Sequence, residues 1–126
     1  MSTTRNTIQK DLIRRAVMTL DHPTAEEIYQ SFQEENPSIS RATVYRNLNN
    51  MAAEGELKRI SMANYPDIYD RTLCDHYHVR CMKCGEIRDI PYFSVEGLLP
   101  EEMNQYELTG QELVLIGTCP KCKNKQ

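Results

Sequence analysis

Four cysteines fall into two pairs, Cys81-x-x-Cys84 and Cys119-x-x-Cys122, with 34 residues between the pairs. Each pair can bring two sulfurs to one side of an ion, and four thiolates at Zn–S distances of about 2.3 Å make the closed tetrahedral shell of structural zinc. Gly85 lets the first pair turn. A closed shell leaves no open position, so the expected role is to support folding and not to catalyse. The competing reading is a thioredoxin-like redox pair, which sets one CxxC at the start of a helix. Cys81-Met82-Lys83-Cys84 lies in a strand-turn context and has a matching second pair, which favours zinc. Cys74, the fifth thiol, reads as a small buried apolar residue, with sensing or accidental ligation as alternatives.

The sequence has three histidines, His22, His76 and His78. The last two are spaced i, i+2, so on a strand they point the same way. Asp70 lies six residues before His76 and Asp89 eleven after His78. Imidazole and carboxylate donors without sulfur favour Fe(II), Mn(II) or a similar ion. Scattered surface histidines are the plain alternative, and the position of His76-Tyr77-His78 beside the cysteine set weighs against it.

Elements must position these residues. Ile8, Leu12, Ala16 and Leu20, with Ile13 and Val17, give one apolar face of a helix over 7–20. Asp21, His22 and Pro23 break it. Thr24 and Glu27 form a capping box that opens a second helix through Ile28 and Phe32, ended by Asn36 and Pro37. Ser40 caps a third helix reaching Glu54, before Gly55. On this helix Ala42, Tyr45, Leu48 and Met51 or Ala52 form one face. Thr43, Arg46, Asn47 and Asn50 form another, with side chains suited to reading base edges in the major groove; an ordinary solvated face fits the same pattern. Leu57 to Met62 and Asp67 to Thr72 read as two strands around Asn64, Tyr65 and Pro66, a hairpin that carries Lys58 and Arg59. Three helices and a basic hairpin predict a winged helix-turn-helix, with the third helix in the groove and the wing on phosphates. Further on, Ile87 to Ile90 and Glu112 to Thr118 read as strands and Ser94 to Tyr106 as a short helix interrupted by Pro100. A small mixed sheet of this kind leaves an edge and an apolar face exposed, which suggests a dimer presenting two recognition helices to two half-sites.

Composition bounds the rest. With 126 residues the chain forms one modest core or two half-size modules that need a metal or a partner to stay folded. No apolar run spans a bilayer, and the polar stretch from Met1 to Lys10 lacks the apolar segment of a secretion signal. A soluble, cytoplasmic protein is expected. The net charge of −3 does not advertise a nucleic-acid partner, yet residues 1–60 balance eight Lys/Arg against eight Asp/Glu. DNA binding must therefore come from local basic clusters.

The chain resembles the ferric uptake regulator (Fur) family of bacterial metalloregulators. The resemblance rests on His22-Pro23-Thr24-Ala25-Glu26-Glu27-Ile28-Tyr29, Ser40-Arg41-Ala42-Thr43-Val44-Tyr45-Arg46-Asn47-Leu48, Asp75-His76-Tyr77-His78 running into Cys81-x-x-Cys84-Gly85, and Cys119-Pro120-Lys121-Cys122. It implies an α+β architecture: a winged-helix DNA-binding domain with hinge over 1–72 and a small α/β dimerisation domain with the four-cysteine zinc site over 73–126. It also implies one regulatory metal per subunit on His22, Asp70, His76, His78 and Asp89, fixing the angle between domains. Aspartates at both 70 and 89 are most like the peroxide-sensing branch, PerR, in which ferrous iron and hydrogen peroxide oxidise a histidine ligand equivalent to His22 or His76 and release DNA. Manganese supports binding without that chemistry. Members usually carry one more helix before the position of Thr7, where only six residues stand here, and no histidine remains for the extra sensory site of some iron sensors.

The expected function is thus a homodimeric, metal-dependent repressor of a palindromic DNA operator, with Arg41, Thr43, Tyr45, Arg46, Asn47, Asn50, Lys58 and Arg59 at the DNA. Its alternatives are an iron- or manganese-level sensor of the same fold, a metalloenzyme on His22, His76 and His78, and a zinc module that binds only protein. The enzyme reading lacks a nucleophile-base pair or a glycine-rich substrate loop, so no small-molecule substrate and no membrane partner are expected.

Overall fold

The computed structural model of the chain describes residues 5–124; Met1 to Thr4, the start of the polar N-terminal stretch, lie outside them. The chain divides into two compact units, the first ending at Leu73 and the second beginning at Cys74.

In the first unit, α1 (Arg5–Thr19), α2 (Ala25–Phe32) and α3 (Arg41–Ala53) precede a two-stranded antiparallel sheet of β1 (Lys58–Met62) and β2 (Tyr65–Asp70). The core is built from Ile13, Ala16 and Val17 of α1, Ala25, Ile28 and Phe32 of α2, Val44, Leu48 and Met51 of α3, with Ile39, Leu57 and Tyr69. The α1 stripe is thus centred on Ile13 and Val17, and Ile8 is exposed. Local signals act as their chemistry dictates. The Thr24 hydroxyl accepts the Glu27 N–H while the Glu27 carboxylate accepts the Thr24 N–H, a complete capping box. Ser40 caps α3 through the Thr43 N–H, and Gly55, at φ 81°, ends it in the left-handed region that glycine adopts without strain.

Two details correct the sequence reading of this unit. The buried face of α3 runs through Val44, Asn47, Leu48 and Met51, while Ala42 and Tyr45 are exposed, so the two faces are rotated by about one residue. The β-hairpin is also tighter than expected. In its turn Asn64 takes a positive φ, of 56°, which lets β2 begin at Tyr65. The strand ends at Asp70, whose Oδ1 accepts the Thr72 N–H at 2.9 Å and so turns the chain.

The second unit is a three-stranded mixed sheet in the order β4-β3-β5. Central β3 (His76–Cys81) pairs antiparallel with β4 (Ile87–Pro91) and parallel with β5 (Val114–Gly117). The short helix expected over 94–106 is interrupted at Pro100 as read, but its pieces are 3-10 turns, Glu96–Leu98 and Glu101–Gln105. Pro100 has no N–H and keeps Leu99 out of the α region, so one continuous helix cannot form. A single turn, α4 (Pro120–Lys123), follows β5. Among the described residues of this unit only Tyr77, Cys81 and Ile87 are buried apolar side chains. No helix among the described residues is long and apolar enough to cross a membrane.

Candidate functional site

The four paired cysteines converge. Their sulfurs all lie within 4.8 Å of one another. The parallel register carries this, since β3 and β5 end together with Cys81 opposite Gly117, which delivers the turn after β3 and the start of α4 to one place. Gly85, at φ 79°, folds the first pair back so that its N–H reaches the Cys81 carbonyl at 3.0 Å. Cys84 Sγ and Cys119 Sγ are 3.7 Å apart. Two sulfurs each about 2.3 Å from one tetrahedral ion would lie about 3.8 Å apart, whereas a disulfide needs about 2.05 Å, so the spacing suits a shared ion.

The electrostatics agree with that fit. The backbone N–H groups of Cys84 and Cys119 point at Cys81 Sγ, at 3.5 and 3.3 Å, and bring the Cys81 thiol down to about 6. Cys122, hydrogen bonded to Cys119 and desolvated among the other sulfurs, is pushed up to about 12. Without a cation the cluster holds thiolate beside thiol, and four soft donors of this kind suit zinc. Cys119 does cap a helix, the setting a redox pair uses, but the helix is one turn long and four sulfurs converge instead of two. Cys74 stands apart and is exposed, which overturns its reading as a buried apolar residue.

His22 and Asp70 belong to the first unit, and His76, His78 and Asp89 to the second. In the second unit, His78 and Asp89 are direct cross-strand partners, and His76 lies two residues along on the same face. His76 Nε2 and His78 Nε2 both face Asp89 Oδ1, at 3.5 and 3.6 Å. These distances exceed good hydrogen bonds. They are close to the spacing of about 3.0–3.5 Å between two donors that share one ion at about 2.1 Å each. His76 Nδ1 lies 2.8 Å from the Cys74 carbonyl, which fixes the proton there and leaves Nε2 as the donor of a lone pair.

In the first unit, His22 and Asp70 are brought together by backbone pairing. Thr24 bridges to Ile68, and the Tyr69 N–H donates to the Pro23 carbonyl at 2.8 Å, so the segment after α1 lies against β2. His22 Nε2 then faces Asp70 Oδ2 at 3.5 Å, while Nδ1 sits 2.6 Å from Asp21 Oδ1. Asp70 is only 5% exposed, and a carboxylate so buried needs a cation or several donors beside it. His22 has a φ of 47°, a left-handed backbone that a side chain with a Cβ enters at a cost. We expect His22→Gly to be more stable than His22→Ala by about 1 kcal/mol in urea unfolding of metal-free protein, because both lose the imidazole and only alanine keeps the strain.

The candidate DNA face changes in three places. Tyr45, Arg46 and Asn50 are exposed on α3, and Thr43, half-buried, carries the Ser40 cap and accepts from Arg46 Nη2 at 3.4 Å. Asn47 is buried at 4% exposure and its Nδ2 donates to the Thr43 carbonyl at 2.9 Å, so it holds the helix and does not reach a groove. Arg41 folds back on α2, with Nε 2.9 Å from Glu26 Oε2 and its guanidinium 4.4 Å over the Tyr29 ring. That pairing raises the Arg41 guanidinium and lowers the Glu26 carboxyl from their ordinary values. Arg59 reaches Asp67 and Asn49. Lys58 is half-buried on β1. Glu26, Tyr29, Asn49 and Asp67 were not legible as functional, since each acquires its meaning from an arginine on another element.

Residues 1–116 match the ferric uptake regulator family. The peroxide-responsive repressor PerR of Staphylococcus aureus is 31% identical over 116 residues, covering 90% of this chain and 78% of that protein. The solved Campylobacter jejuni peroxide stress regulator aligns with a TM-score of 0.72 at 30% identity, over 94% of this chain and 91% of the other. The Helicobacter pylori ferric uptake regulator shares the fold, with a TM-score of 0.77 at 22% identity over 96% of this chain and 86% of its own.

Proposed function

Because this chain belongs to the ferric uptake regulator family, whose members are metal-responsive transcriptional regulators and not enzymes, we propose that it is a repressor that releases DNA in response to peroxide. Its architecture is the family's winged helix followed by a small α/β dimerisation unit. The observation that carries the proposal is the convergence of His76 and His78 Nε2 on one oxygen of Asp89, a nitrogen-and-oxygen half-site with no sulfur in it. Such donors suit Fe(II) or Mn(II), whereas the cysteine cluster suits zinc in a purely structural role.

In this reading His22 and Asp70 complete the regulatory centre with His76, His78 and Asp89. Donors contributed by both units make the angle between them depend on occupancy, so loading selects the arrangement competent for DNA. Tyr45, Arg46 and Asn50 read base edges, Thr43 supports them, and Lys58 lies on the wing that meets the backbone. A dimer would place two such faces on a palindromic operator. When bound, ferrous iron supplies the redox chemistry with peroxide. One oxygen of hydrogen peroxide ends on the His22 or His76 ring and the other leaves as water. The cytoplasm, where both metals and peroxide arise, is the matching compartment.

The test is peptide mass spectrometry after brief peroxide treatment of Fe(II)-loaded and Mn(II)-loaded protein, with DNA binding followed in parallel. We expect a gain of one oxygen, about 16 Da, on the His22 or His76 peptide in the iron sample alone, together with loss of DNA binding, as an iron-dependent reaction requires. Unmodified protein that keeps its DNA in both samples would instead make this a sensor of metal level.

A further inference from the structure

Arg59 sits in β1, the first strand of the wing, where a basic side chain is ordinarily read as a phosphate contact. Two of its five N–H donors are already committed within the protein, and in different directions. Nε donates to Asp67 Oδ2 on the facing strand at 2.7 Å, and Nη1 donates to Asn49 Oδ1 on α3 at 3.2 Å. The ladder places Arg59 opposite Tyr69, so Asp67 is its diagonal neighbour on the same face of the hairpin. Asp67 also raises the Arg59 guanidinium above its ordinary value. Asn49 is an exposed residue between Arg46 and Asn50, beside the side chains that would face a groove.

We propose that Arg59 is a positioning residue for DNA recognition, a strut that fixes the wing against the recognition helix α3 through Asp67 and Asn49. This deepens the repressor reading and rests on it. A guanidinium is suited to the task because its planar fork presents donors in fixed directions, one toward the hairpin and one toward the helix. Lysine offers the same charge as a mobile point and cannot hold both acceptors at fixed angles. With Asp67 neutralising it, Arg59 adds little net charge to the wing. Its contribution is angular: the wing and α3 must meet backbone and groove together, and a rotation between them loses one contact as the other forms.

The strut and the phosphate contact predict opposite signs for Asp67→Asn. If Arg59 contacts phosphate, removing the competing carboxylate strengthens DNA binding. If Arg59 is a strut, the same change weakens it, although a negative charge has been removed from a DNA-facing hairpin. The experiment uses zinc- and Mn(II)-loaded full-length protein and a duplex that the wild type has selected from a random-sequence pool. Binding of wild type, Asp67→Asn, Arg59→Lys, their double variant and Arg59→Gln is compared on that duplex and on a scrambled one, at several salt concentrations.

We expect each single variant to bind the selected duplex about tenfold more weakly, with the scrambled duplex and the salt slope nearly unchanged and the double variant no worse than either single one. Unaltered Mn(II) affinity and far-UV circular dichroism separate this from misfolding. Asp67→Asn that binds as well as wild type or better overturns the strut, as does an Arg59→Gln variant, which removes the charge that Arg59→Lys keeps, if it lowers the salt slope by about one. Arg59→Lys that retains full discrimination does so as well. Wild type that enriches no duplex overturns the repressor reading and the strut with it.

Discussion

Exchanging Cys119 for serine, or stripping zinc from the wild type with a chelator, is expected to unfold the second unit while the first keeps its own melting transition. The two units differ sharply in what holds them. The first has a core drawn from three helices and a hairpin, whereas the second, among the described residues, buries only Tyr77, Cys81 and Ile87 as apolar side chains. A module of this size with so small a core needs a staple. Zinc held by four thiolates contributes on the order of 10–16 kcal/mol in small domains, and in a unit of this kind that binding energy is folding energy. Serine removes one of the four ligands. Amide exchange checks the result, with β3 and β4 losing protection and α1 to α3 retaining it.

Acid should act in the same direction as chelation. Cys122, pushed up to about 12 in the metal-free cluster, must give up a proton before it can ligate. Protons therefore compete with the ion and zinc affinity falls as pH falls. A chelated protein that kept full protection in β3 would refute the structural role of the cluster.

Asp89→Ala is expected to have the second large effect, abolishing Mn(II)-dependent DNA binding while leaving zinc content unchanged. One Asp89 oxygen is the point on which both histidines of its half-site converge. Losing a mere supporting partner of a metal ligand costs about 10–100-fold in affinity, so losing the shared ligand should exceed that. Titration of Mn(II) by electron paramagnetic resonance reads the affinity directly, and gel mobility reads its consequence on DNA. The substitution removes a half-exposed carboxylate that faces these two imidazoles. Folding should survive it. An Asp89→Ala protein that bound Mn(II) normally would place the regulatory ion elsewhere.

What the sequence made legible divides by distance along the chain. Thr24 and Glu27 are three residues apart, and a capping box is a local event that no tertiary contact needs to complete. The CxxC pairs are local too, and their spacing leaves few chemical uses. That Asp89 joins the histidines was implied by the family resemblance, whereas the register that sets it opposite His78 comes from the pairing of β3 with β4. Phasing of α3 did not follow, because Ala42 and Tyr45 mimic an apolar stripe as well as Val44 and Leu48 do. Only packing against α1 and α2 decides which stripe is buried, and it buries Asn47 with the latter. In the segment 94–106 the break at Pro100 was legible, but not that the pieces on either side of it are 3-10 turns. Least legible were Arg41 and Arg59. Arg41 opens α3 and Arg59 lies on β1, and their carboxylate partners stand fifteen and eight residues away on other elements.

The parallel pairing of β3 with β5 has a temporal consequence. Parallel neighbours cannot be joined by a tight turn, so the strand that completes the sheet must return from more than thirty residues away before either it or the second cysteine pair finds its place. Closing so long a loop is slow compared with zipping the adjacent β3–β4 hairpin or docking three neighbouring helices. Newly made chains are therefore expected to pass through an interval in which the winged-helix unit is already shaped and the second unit is not. During that interval the edge of β3 would be open to a strand from another molecule, and on the structural-zinc reading the supply of zinc would set how long it lasts.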